Sequence, residues 1–261
     1  MNIHTDRVQS YRLRRIEEMF HNIFRCYRVV QEMLIARGYT DRNNTDNYPF
    51  DQDRLFCTNQ DLIPDAYDEF TTSMKRLCQE NESPDGINQK VLDRLTYLRQ
   101  HKLTDEWIYV FFVCEKIGVN LITAYVEAMT EGGVARAVLV SIPSQDRSLF
   151  GDQSVLTPFA DKEIEKYKNT EGKLVEHFYM DDLLTNTLKH DFQPKEINVL
   201  TEEEKREIVE LHSTRLDQFH RILMHDPVAR FLGLQPNDMI QCVGRSETAG
   251  ETNRYRMCFN E

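Results

Sequence analysis

Two largely apolar runs with a helical segment between them constrain the fold more than any other feature of this sequence. Residues 107–114 (WIYVFFVC) and residues 135–142 (ARAVLVSI) are rich in β-branched and aromatic side chains, a composition typical of buried strands. Asn120 is a predicted N-cap of the intervening helix, which Gly132 ends. Because strand, helix and strand follow one another with short connections, the sequence predicts a parallel crossover unit and hence an α/β layer structure.

The segments on either side extend this pattern. Apolar residues recur at helical spacing over residues 11–37, which predicts an amphipathic helix closed by Gly38. Residues 61–105 are acidic, and we expect them to be mainly helical. Downstream, Pro158 is expected to open another helix and residues 174–178 to form a further strand.

The last quarter of the chain carries clear helix-start signals. Thr201 followed by Glu204 forms a capping box, in which each side chain satisfies a backbone N–H group of the first turn. Asp226 and Pro227 predict a second, short helix, since aspartate favours the N-cap and proline the first helical position. These polar helix starts differ from the apolar strands upstream, and the change in sequence pattern indicates a separate small domain.

The same region also predicts a β-hairpin. Residues 239–243 and 254–259 alternate or pack as strands, and a glycine-containing loop joins them. A proline-containing connector near residues 190–196 precedes this module. We therefore expect an N-terminal α/β domain over residues 1–189 and a small α+β domain over residues 190–261.

Charge and cysteine content exclude several classes of protein. The net charge of −11 argues against a free-standing, high-affinity nucleic-acid binder, because such proteins are usually basic. The six cysteines include no CxxC pair and the histidines lack metal-ligand spacing, so we expect no metal site, no cofactor and no catalytic residues. The longest apolar run, residues 107–114, is too short to span a bilayer, and we expect no membrane contact.

The most specific motifs lie near the C-terminus. Residues 226–233 (DPVARFLG) are followed by residues 245–250 (RSETAG) and then by Tyr255 and Arg256. In this order and at this spacing, the blocks resemble the C-terminal domain of the fifth-largest subunit of eukaryotic RNA polymerase II. That subunit is shared among the nuclear DNA-directed RNA polymerases, and archaeal RNA polymerase contains a homologue of it.

The N-terminal part resembles the same family more thinly, and the whole resemblance covers residues from about 25 to 261. Residues 40–106 and the N-terminal extension have no counterpart in the family's pattern. Glu196 stands where the family has a second histidine after the proline at Pro194. These departures favour a divergent form or a paralogue.

The resemblance implies a non-catalytic subunit with two parts. The N-terminal domain would be a jaw of restriction-endonuclease-like topology without nuclease activity, lying beside downstream duplex DNA, with Thr157 and Pro158 as the DNA-proximal residues. The C-terminal domain would dock on the largest polymerase subunit. The candidate interface residues in it are Asp226, Pro227, Arg230, Arg245, Ser246, Glu247, Thr248, Tyr255 and Arg256.

The same resemblance implies partners and a location. The partners are the largest subunit, other polymerase subunits and downstream DNA, and we do not expect a stand-alone homo-oligomer. The location is the nucleus, or the nucleolus if the chain belongs to polymerase I. A paralogue dedicated to polymerase I or III is an alternative to a shared subunit, and an adaptor in a different assembly is another.

Simpler interpretations and one enzymatic interpretation compete with these roles. Helix capping alone accounts for Asp226 and Pro227, at about 1 kcal/mol, and Thr157 with Pro158 is most simply a helix start. A Mg²⁺-dependent nuclease of the PD-(D/E)xK type would use Asp65 or Asp85, each preceded by proline, together with the triplet Glu171-Gly172-Lys173. The long separation of these elements disfavours the nuclease.

Overall fold

The computed structural model describes residues 3–39, 67–80, 87–143, 156–246 and 250–260, and side chains within these ranges except those of residues 3–13 and Ser246. The chain divides into two compact units, Met1–Thr185 and Asn186–Glu261. Both units combine helices with a four-stranded sheet. In the part of the chain that is described, no helix has the length and apolar content needed to cross a membrane.

The first unit is built on a sheet with the strand order β1-β2-β3-β4. The strands are β1 (Tyr97–Gln100), β2 (Trp107–Val113), β3 (Arg136–Ser141) and β4 (Leu174–Tyr179). Strands β2, β3 and β4 are parallel, while β1 pairs with β2 in the antiparallel sense. The parallel crossover predicted from the two apolar runs is therefore confirmed.

Helices cover both faces of this sheet, which explains why β2 is apolar without alternation. Helix α4 (Val119–Glu131) connects β2 to β3, and α5 (Pro158–Glu171) connects β3 to β4. Both pack in one cluster with the odd-numbered residues of β2, including Tyr109 and Phe111. Helix α1 (Ile3–Ala36) lies on the other face, where the ring of Tyr27 packs against those of Tyr97 and Phe112.

Helix α1 is also fastened at its C-terminal end. The Arg37 guanidinium donates to both carboxylate oxygens of Glu176 on β4, and the Arg37 side chain is only 3% exposed. Gly38 follows with φ +87, the left-handed conformation that the sequence predicted for this helix end. Helix α2 (Tyr67–Glu80) packs on α1 through Phe24 and Phe70, whose ring centroids are 5.2 Å apart.

One local prediction for this unit is wrong, and one strand was not predicted. Helix α4 begins at Val119 with Gly118 as its N-cap, so Asn120 lies inside the first turn and caps nothing. Residues 61–66 and 81–86 of the region expected to be mainly helical lie outside the described residues. The described part contains α2 and the short α3 (Gln89–Asp93), as expected, and also strand β1, which was not predicted. Because β1 has only four residues and pairs at the edge of the sheet, its pattern is too short to reveal a period of two.

The second unit has a sheet with the order β5-β7-β8-β6. Its strands are β5 (Glu196–Val199), β6 (His220–Leu223), β7 (Met239–Ser246) and β8 (Gly250–Phe259). Strands β7 and β8 form the predicted antiparallel hairpin, with longer strands than expected, whereas β5 and β6 were not predicted. Helices α6 (Glu202–His212) and α7 (Pro227–Leu232) complete the unit, and the capping box of Thr201 with Glu204 is present.

Candidate assembly surface

The hairpin β7–β8 extends beyond the rest of its sheet. Strand β5 pairs with β7 only as far as Val243, and β6 pairs with β8 only from Arg256 onward. Among the described strands, residues 244–246 and 250–252 therefore pair only with each other, and we call these two stretches the distal hairpin. Burial falls along the same direction, because Met239 and Met257 at the base are buried while Arg245 at the tip is exposed.

The register separates the predicted interface residues onto two faces of the hairpin. Residues paired across an antiparallel ladder share a face, and successive residues alternate between faces. Tyr255 pairs with Gln241, and Arg245 with Glu251, so Arg245 and Tyr255 belong to one face. Arg256 belongs to the other face, as does its neighbour Arg254. A flat partner surface could not meet all of them at once.

Tyr255 is held within the unit by an aromatic cluster. Its ring lies 5.5 Å from that of His212 and 6.5 Å from that of Phe219, and the contacts are edge-to-face. His212 ends helix α6, and Phe219 directly precedes strand β6. This half-buried ring therefore has a structural role in addition to any contact with a partner, and replacing it would affect packing.

The motif around Asp226 is explained by local structure. The Asp226 carboxylate accepts a hydrogen bond of 2.8 Å from the Val228 N–H, Pro227 takes the first helical position, and Gly233 ends α7 with φ +66. The helix places Val228, Ala229 and Leu232 in the core of the unit. Arg230 is half-buried one turn after the cap, and the cap alone contributes about 1 kcal/mol.

The remaining predicted interface residues are less fully described. Ser246 ends β7 and pairs with Gly250 through the backbone, but its side chain lies outside the described residues. Glu247 and Thr248 lie outside the described residues altogether. Their proposed contacts therefore stay predictions from the sequence.

A groove of about 460 Å³ lies between the hairpin and the segment before β5. Residues 191–195 form one side, and the hairpin side consists of Cys242, Gly244, Arg245, Arg254 and Arg256. Burial raises the pKa of the Cys242 thiol, and the positive charges of Arg256 and Arg254 act in the opposite direction. Arg254 is the residue that pairs with Cys242 across the hairpin. Sequence reasoning missed Arg254, although its spacing of two from Arg256 in a predicted strand puts both on one face.

Thr157 and Pro158 begin helix α5 in the first unit. The Thr157 hydroxyl accepts from the Ala160 N–H at 3.2 Å, and the Thr157 N–H donates to the Ile117 carbonyl at 3.1 Å. Phe159 beside them is 74% exposed. The predicted helix start is thus confirmed, while contact of these residues with DNA stays a prediction.

The nuclease alternative gains no support. Glu171 is the last residue of α5 and Gly172 follows with φ +66, so the triplet is not part of a strand. Lys173 donates to the Val134 carbonyl at 2.9 Å. Asp65 and Asp85 lie outside the described residues. Among the residues that are described, no group of three or more His, Cys, Asp or Glu side chains could hold a metal ion.

Comparison with known proteins gives the family. Residues 185–258 match the family "RNA polymerase Rpb5, C-terminal domain". Over 152 residues the chain is 36% identical to the "DNA-directed RNA polymerases I, II, and III subunit rpabc1" of Dictyostelium discoideum, a match that covers 58% of this chain and 71% of that relative. The subunits RPABC1 of Caenorhabditis elegans and Caenorhabditis briggsae are each 32% identical over 155 residues, which cover 58% of this chain and 65% of each relative.

The family match begins one residue before the second structural unit and includes almost all of it, with the groove and all of the hairpin except Phe259. The resemblance drawn from residues 226–233 and 245–250 is confirmed by these matches. The chain belongs to the Rpb5 (RPABC1) family of DNA-directed RNA polymerase subunits.

Proposed function

We propose that this chain is a non-catalytic structural subunit of a nuclear DNA-directed RNA polymerase. In this proposal residues 190–261 dock on the largest subunit, and residues 1–189 form a jaw beside downstream DNA. Nucleotide addition belongs to the largest subunits of the complex. Membership of the Rpb5 family supports the role, since the relatives are named as subunits of RNA polymerases I, II and III.

The observation that carries the docking proposal is the distal hairpin. A two-stranded ribbon without further strands or a packed face is marginally stable in water. In the part of the chain that the structure describes, the distal hairpin pairs only with itself and exposes Arg245 and Glu251 to solvent. A partner surface laid against it would supply the missing packing, and its strand edge and polar loop offer hydrogen-bonding groups for β-augmentation.

The jaw proposal rests on the first unit. A mixed sheet with helices on both faces is compatible with a restriction-endonuclease-like topology, which we propose for residues 1–189. The N-terminus of α5 at Thr157 and Pro158 offers backbone N–H groups that favour a phosphate. Of the nearby lysines, Lys166 is paired with Glu163 at 2.6 Å, so the site carries little excess positive charge. Contacts of this kind would position duplex DNA without reading its bases.

Affinity purification of the tagged full-length chain tests the proposal. We expect the largest subunit of at least one nuclear polymerase to co-purify in stoichiometric amount, as quantified by mass spectrometry. The double variant Arg245→Glu with Tyr255→Ala should reduce that amount by about tenfold or more, because it removes one cation and one aromatic anchor from the same face of the hairpin. Recovery of the chain without polymerase subunits would refute the function.

Two controls separate docking from folding. Tyr255→Phe keeps the ring that packs on His212 and Phe219, so Arg245→Glu with Tyr255→Phe tests the charge on an intact unit. Arg206→Glu makes the same charge change at an exposed position of α6 and should leave incorporation unchanged. Normal assembly of the Arg245→Glu, Tyr255→Ala variant would refute the interface assignment and leave the family role untouched.

The same purification distinguishes a shared subunit from a dedicated paralogue. A shared subunit brings down the largest subunits of all three nuclear polymerases, whereas a paralogue brings down one. The proposal requires a nuclear location, and a chain dedicated to polymerase I would concentrate in the nucleolus. Fluorescence imaging of the tagged chain measures this directly.

A further inference from the structure

We propose that the groove between residues 191–195 and the hairpin binds an extended acidic peptide segment of a partner protein. The groove is lined by Lys195, Arg245, Arg254 and Arg256, against a single acid, Asp191. This inference rests on the proposed function, because Arg245 and Arg256 belong to the surface proposed to meet the largest subunit. The inference adds to the proposed function the chemical character of the bound segment, which is extended and acidic.

The arginines of the groove are available to a ligand. Lys195 is paired with Glu251 at 3.3 Å, but among the described residues none forms an ion pair with Arg245, Arg254 or Arg256. All three arginines are exposed. Side chains two positions apart on a strand are about 7 Å apart, so Arg254 and Arg256 repel each other until an anion lies between them. Guanidinium groups bind carboxylates in a bidentate manner, which makes acidic side chains the matching ligand.

The rest of the lining limits the shape of the ligand. Gly244 contributes no side chain to the hairpin side, and a Cβ atom added there would meet no atom within 4 Å. Phe192 and Pro194 form an apolar wall opposite the arginines, and Phe192 is 94% exposed. A segment with carboxylates on one side and an apolar side chain on the other would satisfy both walls. An extended peptide presents its side chains alternately in this way.

A peptide fits the site better than a nucleic acid does. The volume of about 460 Å³ accommodates a few side chains. Sequence-independent binding of a single strand requires a long basic track with several stacking aromatic residues, and this groove provides one exposed phenylalanine.

Fluorescence anisotropy with the full-length chain tests the inference. The probes are a labelled ten-residue peptide that alternates Glu and Leu, the same peptide with Gln in place of Glu, and a ten-nucleotide oligothymidylate. We expect the Glu peptide to bind at least about tenfold more tightly than the Gln peptide, and its affinity to fall as salt is raised. The oligothymidylate should bind more weakly than the Glu peptide.

Variants locate the binding in the groove. Arg254→Glu with Arg256→Glu should weaken binding of the Glu peptide by about tenfold or more, since two attractive charges become repulsive. The matched control, Arg206→Glu with Arg215→Glu, makes an equal charge change at exposed positions outside the groove and should change affinity by less than about twofold. Gly244→Leu should fill the groove and reduce binding while the open space at Gly244 allows the unit to fold.

Each result supports or overturns the inference. Equal binding of the Glu and Gln peptides, tighter binding of oligothymidylate, or equal losses in the groove variant and its control would overturn it. Circular dichroism of each variant must match that of the wild type for its binding to be scored, and Gly244→Leu supplies an independent test if the charge variant unfolds. A chain that binds the Glu peptide selectively but co-purifies with no polymerase subunit would overturn only the proposed function.

Discussion

Lys205 is a buried cation that fastens helix α6 to the turn before strand β7, and removing its charge tests how much this contact stabilises the second unit. Its ammonium group donates to the Asn237 carbonyl at 2.8 Å and contacts the Glu202 carboxylate at 2.9 Å. Asn237 has φ +75, a left-handed conformation that is uncommon for residues other than glycine. Its N–H donates to the Cys258 carbonyl, so the same turn is tied to β8.

The size of the effect follows from these two contacts. Lys205→Met keeps the aliphatic stem in place but leaves the Asn237 carbonyl without its charged donor, and hydrogen bonds to charged groups contribute about 1.5–3 kcal/mol. The ion pair adds little, because the Glu202 side chain is 69% exposed and surface pairs contribute at most about 1 kcal/mol. We expect Lys205→Met to lower the free energy of unfolding of this unit by about 2 kcal/mol, and the control Glu202→Gln by about 0.5 kcal/mol.

Hydrogen–deuterium exchange of the full-length chain measures this change in the correct unit. The single tryptophan, Trp107, lies in the first unit, so its fluorescence does not report on Lys205. A loss of about 2 kcal/mol corresponds to a drop of about 30-fold in the protection of the most stable amides of β7 and β8. The amides of β2 and β3 serve as an internal control. A drop of less than about threefold in β7 and β8, or equal losses in Lys205→Met and Glu202→Gln, would refute the reasoning.

Two further outcomes are expected elsewhere in the chain. Gly38→Ala should destabilise the first unit by more than Gly133→Ala does. A Cβ at Gly133 meets nothing within 4 Å, so that variant carries only the cost of about 1–2 kcal/mol for a left-handed residue. A Cβ at Gly38 would also lie 2.7 Å from Nε2 of His101, which adds a steric clash. Urea unfolding followed by Trp107 fluorescence measures the difference; His101→Ala should reduce the excess cost, and equal losses at the two glycines would contradict the contact. Hydrogen bonds from the Thr201 N–H and hydroxyl lower the pKa of Glu204. The capping box therefore stabilises α6 fully at pH values above the ordinary glutamate pKa of about 4.3. This stabilisation is lost as the pH falls through the lowered pKa of Glu204 in the folded chain. Thr201→Val should raise the pKa of Glu204 in an NMR titration of its carboxyl carbon, and an unchanged pKa would show that the hydroxyl does not contribute.

The long apolar runs and the helix ends were predictable because their signals are local or strongly periodic. A parallel strand buried on both faces has to be apolar throughout, and this requirement identified β2 and β3. The start at Pro227 and the left-handed end at Gly233 follow from the conformational limits of proline and glycine. The prediction of Asn120 as an N-cap was wrong because Gly118 takes that position, and a glycine can begin a helix without a side-chain hydrogen bond.

The short edge strands could not be predicted from the sequence. Strands β1, β5 and β6 have four residues each, and their conformation depends on backbone pairing with strands distant in the chain. The groove was missed for the same reason, because Lys195 and Arg254 come together only when β5 pairs with β7 and β7 with β8. The family motif identified which part of the chain matters, but it gave no information on which hairpin face each arginine occupies.

The two-faced hairpin limits how a partner can hold this domain. A surface that met only the face of Arg245 and Tyr255 would leave Arg254 and Arg256 in solvent, where they would contribute little to affinity. A partner that also places an acidic segment in the groove would cover the distal hairpin from both sides. Such a partner would bury the hairpin in place of the third strand or packed face that normally stabilises a two-stranded ribbon. Its carboxylates would also neutralise Arg254 and Arg256, which repel each other in the free chain. Enclosure of the hairpin thus explains in one arrangement why it carries arginines on both faces and why Arg245 and Glu251, near its end, are exposed.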